Sequence, residues 1–112
     1  MIRGIGTDVI EIGRIERLLE NPHFLDRVYT KAEQAQLRSA QSYAANFAAK
    51  EAYSKALGTG ISGFSLTDVE ILRNERGAPY LLAYHGAACA GRVHVSLSHC
   101  REYAIAYVVI EE

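Results

Sequence analysis

Glu51 and Lys55 stand four residues apart in the stretch Phe47-Ala48-Ala49-Lys50-Glu51-Ala52-Tyr53-Ser54-Lys55-Ala56-Leu57-Gly58-Thr59-Gly60-Ile61. On a helix this spacing puts a carboxylate and an ammonium on one face, with Phe47 one turn earlier. Such a pair, followed by a glycine-rich turn, suits a site that handles a metal ion and phosphate oxygens. It also suits an ordinary solvent-facing contact worth roughly 0.2–0.5 kcal/mol. A second carboxylate, Asp8, lies in Gly6-Thr7-Asp8-Val9-Ile10-Glu11-Ile12. Locally Asp8 reads as a helix N-cap. Together with Glu51 it can also hold a hard cation such as Mg²⁺, which takes one or two carboxylates and keeps phosphate oxygens and water as its other ligands.

Three further groups carry chemistry. His99 shares parity with Val93, Val95 and Leu97, so it can be a core histidine. At a hairpin bend that parity lapses, and His99 can equally hydrogen-bond a phosphate at the end of a sheet. Cys100 beside it suggests a nucleophilic thiol, but adjacent side chains diverge, and an inert thiol in a turn is the stronger reading. Arg14, Arg17 and Arg27 with Phe24 form a basic surface carrying an aromatic: either solvated helix faces or a dock for an acidic partner.

The elements that must position these groups are readable from caps and periodicity. A first strand spans 3–7, broken by Gly4 and Gly6. Asp8-Val9-Ile10-Glu11 has the form of a capping box and predicts a helix from there to Glu20, with Ile12, Ile15, Leu18 and Leu19 as its apolar stripe. Asn21-Pro22 ends it, and 23–28 reads as one or two helical turns. Thr30-Lys31-Ala32-Glu33 is a second capping box, opening a helix to about Arg38. The long helix follows over 41–57, stopped by Gly58 as a left-handed C-cap, and its many alanines leave a thin surface for close packing on a sheet.

Beyond the loop at 58–63 the pattern shifts toward period 2. Strands 69–73 and 79–82 form a hairpin around Asn74-Glu75-Arg76-Gly77, 84–91 is ambiguous with room for one helical turn, and strands 93–98 and 103–110 form a second hairpin. The fold class is α+β: an N-terminal strand and helices, including one long helix, packed on a mainly antiparallel sheet. The last strand is apolar on both faces, with Tyr103, Ile105, Tyr107 and Val109 on one and Ala104, Ala106, Val108 and Ile110 on the other. Helices in so small a domain can cover only one face, so a second copy of the chain is the expected cover for the other.

Bulk properties narrow the class. The 112 residues make one domain, 1–112, with 49% hydrophobic residues and enough apolar chain for a core. Net charge is −1 from 12 basic and 13 acidic residues, which gives no argument for a nucleic-acid partner. No apolar run approaches the roughly 20 residues of a membrane span. The first eight residues do not read as a signal peptide. Cys89 and Cys100 form neither a disulfide framework nor a zinc spacing, so a reduced, cytoplasmic protein is expected.

Four blocks, in order, carry a family resemblance: 6–12, the 47–61 stretch, Gly77-Ala78-Pro79 and His94-Val95-Ser96-Leu97-Ser98-His99. Over essentially its whole length the chain resembles the holo-acyl-carrier-protein synthase family, the small bacterial class of 4′-phosphopantetheinyl transferases. The resemblance implies that fold and transfer of 4′-phosphopantetheine from coenzyme A to a serine of apo acyl carrier protein, in support of fatty acid biosynthesis. It implies that Asp8 and Glu51 hold Mg²⁺, that Lys55 faces phosphate, and that Asp8, Glu51 and Lys55 form the catalytic set. Ser96 and His99, with Lys55, fall in the coenzyme A site, and Arg14, Phe24 and Arg27 match positions that meet the carrier protein. It further implies a homotrimer with active sites between subunits. Two positions depart from the family pattern: Asn46 where arginine is frequent, and Ala78 where a basic residue is frequent. Both departures predict a weaker hold on coenzyme A's phosphates.

Rival classes are a non-catalytic module that binds a nucleotide or coenzyme A, and a thiol hydrolase using Cys100 and His99. The joint presence of Asp8, Glu51 and Lys55 argues against the first. The second lacks an orienting third group.

Overall fold

The computed structural model describes residues 1–60 and 63–112. In chain order the elements are strand β1 (Ile2–Glu11), helices α1 (Ile12–Leu18), α2 (Pro22–Val28), α3 (Lys31–Gln36) and α4 (Ala40–Leu57), then strands β2 (Val69–Arg73), β3 (Pro79–Ala83), β4 (Arg92–His99) and β5 (Tyr103–Glu111). Single 3₁₀ turns at Leu66–Asp68 and His85–Ala87 lead into β2 and out of β3. An antiparallel sheet runs in the order β1-β5-β4, and β2 and β3 form a separate hairpin. The part of the expected glycine loop at Ile61 and Ser62 lies outside the described residues.

The long helix stands nearly where its caps place it. Ser39 accepts a bond from the Ser42 N–H at its start, and Gly58 takes φ 81° at its end, donating to the Ser54 and Lys55 carbonyls. Ala45, Ala48, Ala49 and Ala52 are buried, as are Ala104, Ala106, Val108 and Ile110 on β5. Close approach of helix and sheet also needs Gly4 and Gly6. A β-carbon at Gly4 would overlap the Ala56 carbonyl oxygen, and one at Gly6 the Ala52 carbonyl oxygen. The backbone of β1 therefore lies directly against α4, with no side chain between them.

The capping box expected at Asp8 does not form. β1 continues to Glu11, paired with β5 from Ile2↔Glu111 to Glu11↔Tyr103. The long ladder satisfies the backbone that a helix would have used, and β-branched Val9 and Ile10 suit a strand. Helix α1 begins at Ile12, whose N–H bonds the Glu102 carbonyl at 2.8 Å, and it stops at Leu18 rather than Glu20. Asp8 is thus a mid-strand residue and caps nothing. The Thr30–Glu33 capping box does form, although α3 ends at Gln36, two residues before Arg38. Asn21 caps α2 through the His23 N–H, with Pro22 in its first turn.

One face of the three-stranded sheet is covered by α4. The other is open: Ile5 is 70% exposed, Val9 and Tyr107 each 59%, and Tyr103 44%. No helix among the described residues is long and apolar enough to cross a membrane.

Candidate active site on the edge strand and the long helix

Along β1, Gly4, Gly6, Asp8 and Ile10 alternate onto the face that meets α4. The two glycines bring the strand against the helix, and Asp8 follows in the same row. Lys55 of α4 donates to the Asp8 carboxylate, Nζ to Oδ1, at 3.2 Å and to the Thr7 carbonyl at 2.9 Å. Asp8's side chain is 18% exposed and that of Lys55 54%, so the ammonium keeps an open side. Glu51, one turn before Lys55, is half-buried.

Burial first, and then the Asp8 carboxylate, push the Glu51 carboxyl up from its usual value, while Lys55 and Arg14 oppose the rise. Two carboxylates thus face each other, with Lys55 beside them and the charge of Arg14 within reach. Among the described residues no cluster of three or more His, Cys, Asp or Glu could hold a metal. A hard cation here would have two protein oxygens and would need the rest from substrate and water, which is the habit of Mg²⁺. Concave space lies on both sides of Lys55. A groove of about 390 Å³ includes Thr7, Lys55 and Tyr107, and a neighbouring one of about 310 Å³ adds Asp8 and Val9.

Matches to known proteins decide the family. The profile of the 4′-phosphopantetheinyl transferase superfamily matches residues 4–108. The chain belongs to that superfamily. Membership makes it an enzyme, a phosphopantetheinyl transferase. A holo-[acyl-carrier-protein] synthase of Clostridium perfringens (strain SM101 / Type A) is 46% identical over 126 residues, covering 99% of this chain and 95% of the relative. The crystal structure of a holo-(acyl-carrier-protein) synthase from Bacillus anthracis str. Ames in complex with CoA (3′,5′-ADP) superposes with a TM-score of 0.87 at 42% identity, covering 99% and 97% of the two chains. The Helicobacter pylori enzyme in complex with coenzyme A gives a TM-score of 0.87 at 32% identity, covering 96% of this chain and 99% of that one. The α+β architecture is therefore that of the family.

The remaining candidate residues of this transferase are dispersed. Ser96 pairs with Tyr107, itself opposite Thr7, so all three lie on the open face of the sheet, away from Asp8. His99 pairs with Ala104 and keeps the helix-side parity of Leu97, yet it is exposed because it ends the strand. It is not a core histidine. Arg14 and Arg27 are exposed on α1 and α2, but the charge of Arg14 also reaches Glu51, so it is not remote from the site. Phe24 corrects the expected aromatic on that surface. It is 7% exposed and packs on Tyr29 and Phe47, with ring centroids 6.2 and 6.3 Å away, because α2 turns it into the core. Cys100 is exposed, and hydrogen bonds from the Glu102 and Tyr103 backbone lower its thiol's pKa. Among the described residues no hydrogen bond joins it to His99.

Sequence reading passed over a buried polar cluster. Asn46, Lys50 and Ser54 recur every four residues along α4 and all three are buried, with Glu33 of α3 against them. Their spacing within an alanine-rich helix was the available signal. Asn46 donates to the Glu33 carboxylate and to the Ile71 carbonyl, each at 2.8 Å. It is therefore an internal strut between α4, α3 and β2, shielded from any solvent-side phosphate. Asn46 itself braces the fold rather than reaching toward a phosphate. Ala78 does sit exposed at the β2–β3 turn, where its N–H bonds the Asn74 side chain at 3.0 Å.

Proposed function

We propose that this transferase moves 4′-phosphopantetheine from coenzyme A to a serine of an apo acyl carrier protein, releasing adenosine 3′,5′-bisphosphate, in the cytoplasm and in the service of fatty acid biosynthesis. The observation that carries the reading is the meeting of Asp8, Lys55 and Glu51 where β1 crosses α4. Asp8 and Glu51 would hold Mg²⁺, which when bound supplies positive charge to the diphosphate oxygens. Lys55, tethered by Asp8 and Thr7, presents its open side to the same diphosphate and stabilises the charge that develops on the leaving 3′,5′-ADP. The carrier's serine oxygen forms the new bond to the phosphorus bearing pantetheine as the bond to the ADP oxygen breaks. Glu51, or a water that it orients, is placed to take the serine proton. Ser96, His99 and Lys55 would contact coenzyme A. The test is direct: incubate the chain with coenzyme A, Mg²⁺ and an apo carrier, and weigh the carrier. A gain of one phosphopantetheine is expected. An unchanged mass removes this reading and leaves the binding-module alternative.

The carrier would meet Arg14 and Arg27 through its acidic surface. Because Arg14 also acts on Glu51, Arg27→Glu is the cleaner probe. It is expected to raise the carrier's KM on the order of tenfold, with coenzyme A's KM nearly unchanged. Wild-type carrier KM should also rise with salt as the Debye length falls below about 10 Å. A rise in coenzyme A's KM alone would assign Arg27 to the other substrate.

A trimer is supported by the open sheet face and by the position of Ser96 on it. Within one chain Ser96 faces away from Asp8; in a trimer, Ser96 of one copy can join Asp8 and Lys55 of the next. Light scattering at micromolar concentration is expected to give three chains per particle, and an active monomer would refute the assembly.

A further inference from the structure

Lys50 precedes the proposed base Glu51, yet it is closed to solvent, with an exposure of 0%. Its ammonium donates to the Val28 carbonyl at 2.5 Å, to Glu33 Oε1 at 2.6 Å and to the Leu66 carbonyl at 3.0 Å. Those three bonds use all three of its hydrogens, so none remains for a substrate. The acceptors belong to three separate segments: the end of α2, the first turns of α3, and the 3₁₀ turn leading to β2. Glu33 is used just as fully. It also accepts from the Thr30 and Ile71 N–H groups and from Asn46.

An apolar side chain of similar length would fill the same space, and replacing buried ion pairs in this way often leaves stability unchanged or higher. What such a side chain lacks is direction. The Val28 carbonyl is one of the orphan acceptors at the C-terminal end of α2, where a cation also complements the helix dipole. The bond from Lys50 to Val28 joins the residue before Glu51 to the residue after Arg27. One buried ammonium therefore ties together three segments of the chain.

We infer that Lys50 is a positioning residue. Its ammonium sets where α2, carrying Arg27, stands relative to Glu51, and so sets the distance from the carrier's dock to the reacting serine. The inference rests on the carrier-transfer reading above. It makes Lys50 a determinant of carrier binding although it touches neither substrate.

Lys50→Met alone would strand the Glu33 carboxylate, so the first variant is Lys50→Met with Glu33→Gln, which removes both charges. Carrier KM is expected to rise on the order of tenfold while coenzyme A KM changes less than about twofold. Adding Arg27→Glu should then cost much less than it does in the wild type, because the dock is already displaced. Lys50→Arg is the second variant, for the case in which the first does not fold. It keeps Glu33 paired, but its planar fork cannot reach the same three acceptors, and the same KM split is expected. A fall in kcat with both KM values unchanged, and with the full penalty for Arg27→Glu retained, would overturn the inference and leave Lys50 a stability residue. Failure of the wild-type chain to load any carrier would overturn the transfer reading instead.

Discussion

Replacing Glu51 with glutamine is expected to lower turnover by about 10²–10⁴ while leaving the chain folded. The substitution keeps size and shape but removes the carboxylate that would take the serine proton and share Mg²⁺ with Asp8. The same variant should show a pH signature in stability. Burial and then the Asp8 carboxylate raise Glu51's carboxyl above its ordinary value. A carboxyl whose folded pKa lies above its unfolded value ionises at a cost to the fold. Stability is therefore lost as pH rises from the unfolded value through the folded one, and the loss persists above both. Glu51→Gln should accordingly melt higher than wild type at about pH 8, and the advantage should fade as pH falls toward about 4. Carrier mass under single turnover, and melting curves at the two pH values, check both halves. Excess EDTA should abolish wild-type turnover and added Mg²⁺ restore it. Wild-type turnover in EDTA would sink the metal assignment, and a near-normal rate for Glu51→Gln would remove Glu51 from the chemistry.

Gly6→Val should abolish the folded state, and Gly6→Ala should destabilise it by about 3 kcal/mol or more, the upper end for overpacking in a core. The new β-carbon would overlap the Ala52 carbonyl oxygen, which belongs to rigid helix backbone and cannot rotate aside. The strand would have to leave α4 along the row that includes Gly4 and Asp8. Since native domains are stable by only about 5–15 kcal/mol, this is a large fraction of the total. Any Gly6→Ala protein that still folds should also lose activity, because Asp8 moves away from Lys55. Gly13→Ala is the control. Its β-carbon would meet nothing nearer than the Arg17 guanidinium at 3.6 Å, and in a helix alanine is favoured over glycine by about 1 kcal/mol. A wild-type denaturation midpoint for Gly6→Ala would show that strand and helix do not approach as closely as described.

Both predictions depend on where β1 runs, and there local signals misled. Asp8-Val9-Ile10-Glu11 has the letters of a capping box, but a cap contributes only on the order of 1 kcal/mol. The ladder from Ile2 to Glu11 along β5, with Ile10 buried beneath α4, outweighs it. At Thr30-Lys31-Ala32-Glu33 no strand competes, and the same pattern does cap a helix. The family resemblance and the Glu51–Lys55 spacing are legible in the residues themselves, whereas the contact of Asp8 with that helix is made only by the fold.

Short-range chemistry was therefore enough to place the long helix with its Gly58 stop, the Asn74–Gly77 hairpin, the paired β4 and β5, and the spacing that puts Glu51 and Lys55 on one helix face. Each of these depends on contacts a few residues apart or on the residue types themselves. The length of β1, the burial of Phe24 and Asn46, the reach of Arg14's charge to Glu51 and the joining of Lys50 to Val28, Glu33 and Leu66 came from the assembled chain. Lys50 and Glu33 are 17 residues apart, and Asp8 and Lys55 47. Burial and electrostatic coupling act through space, so no window of neighbouring residues encodes them until β1 and α3 have closed on α4.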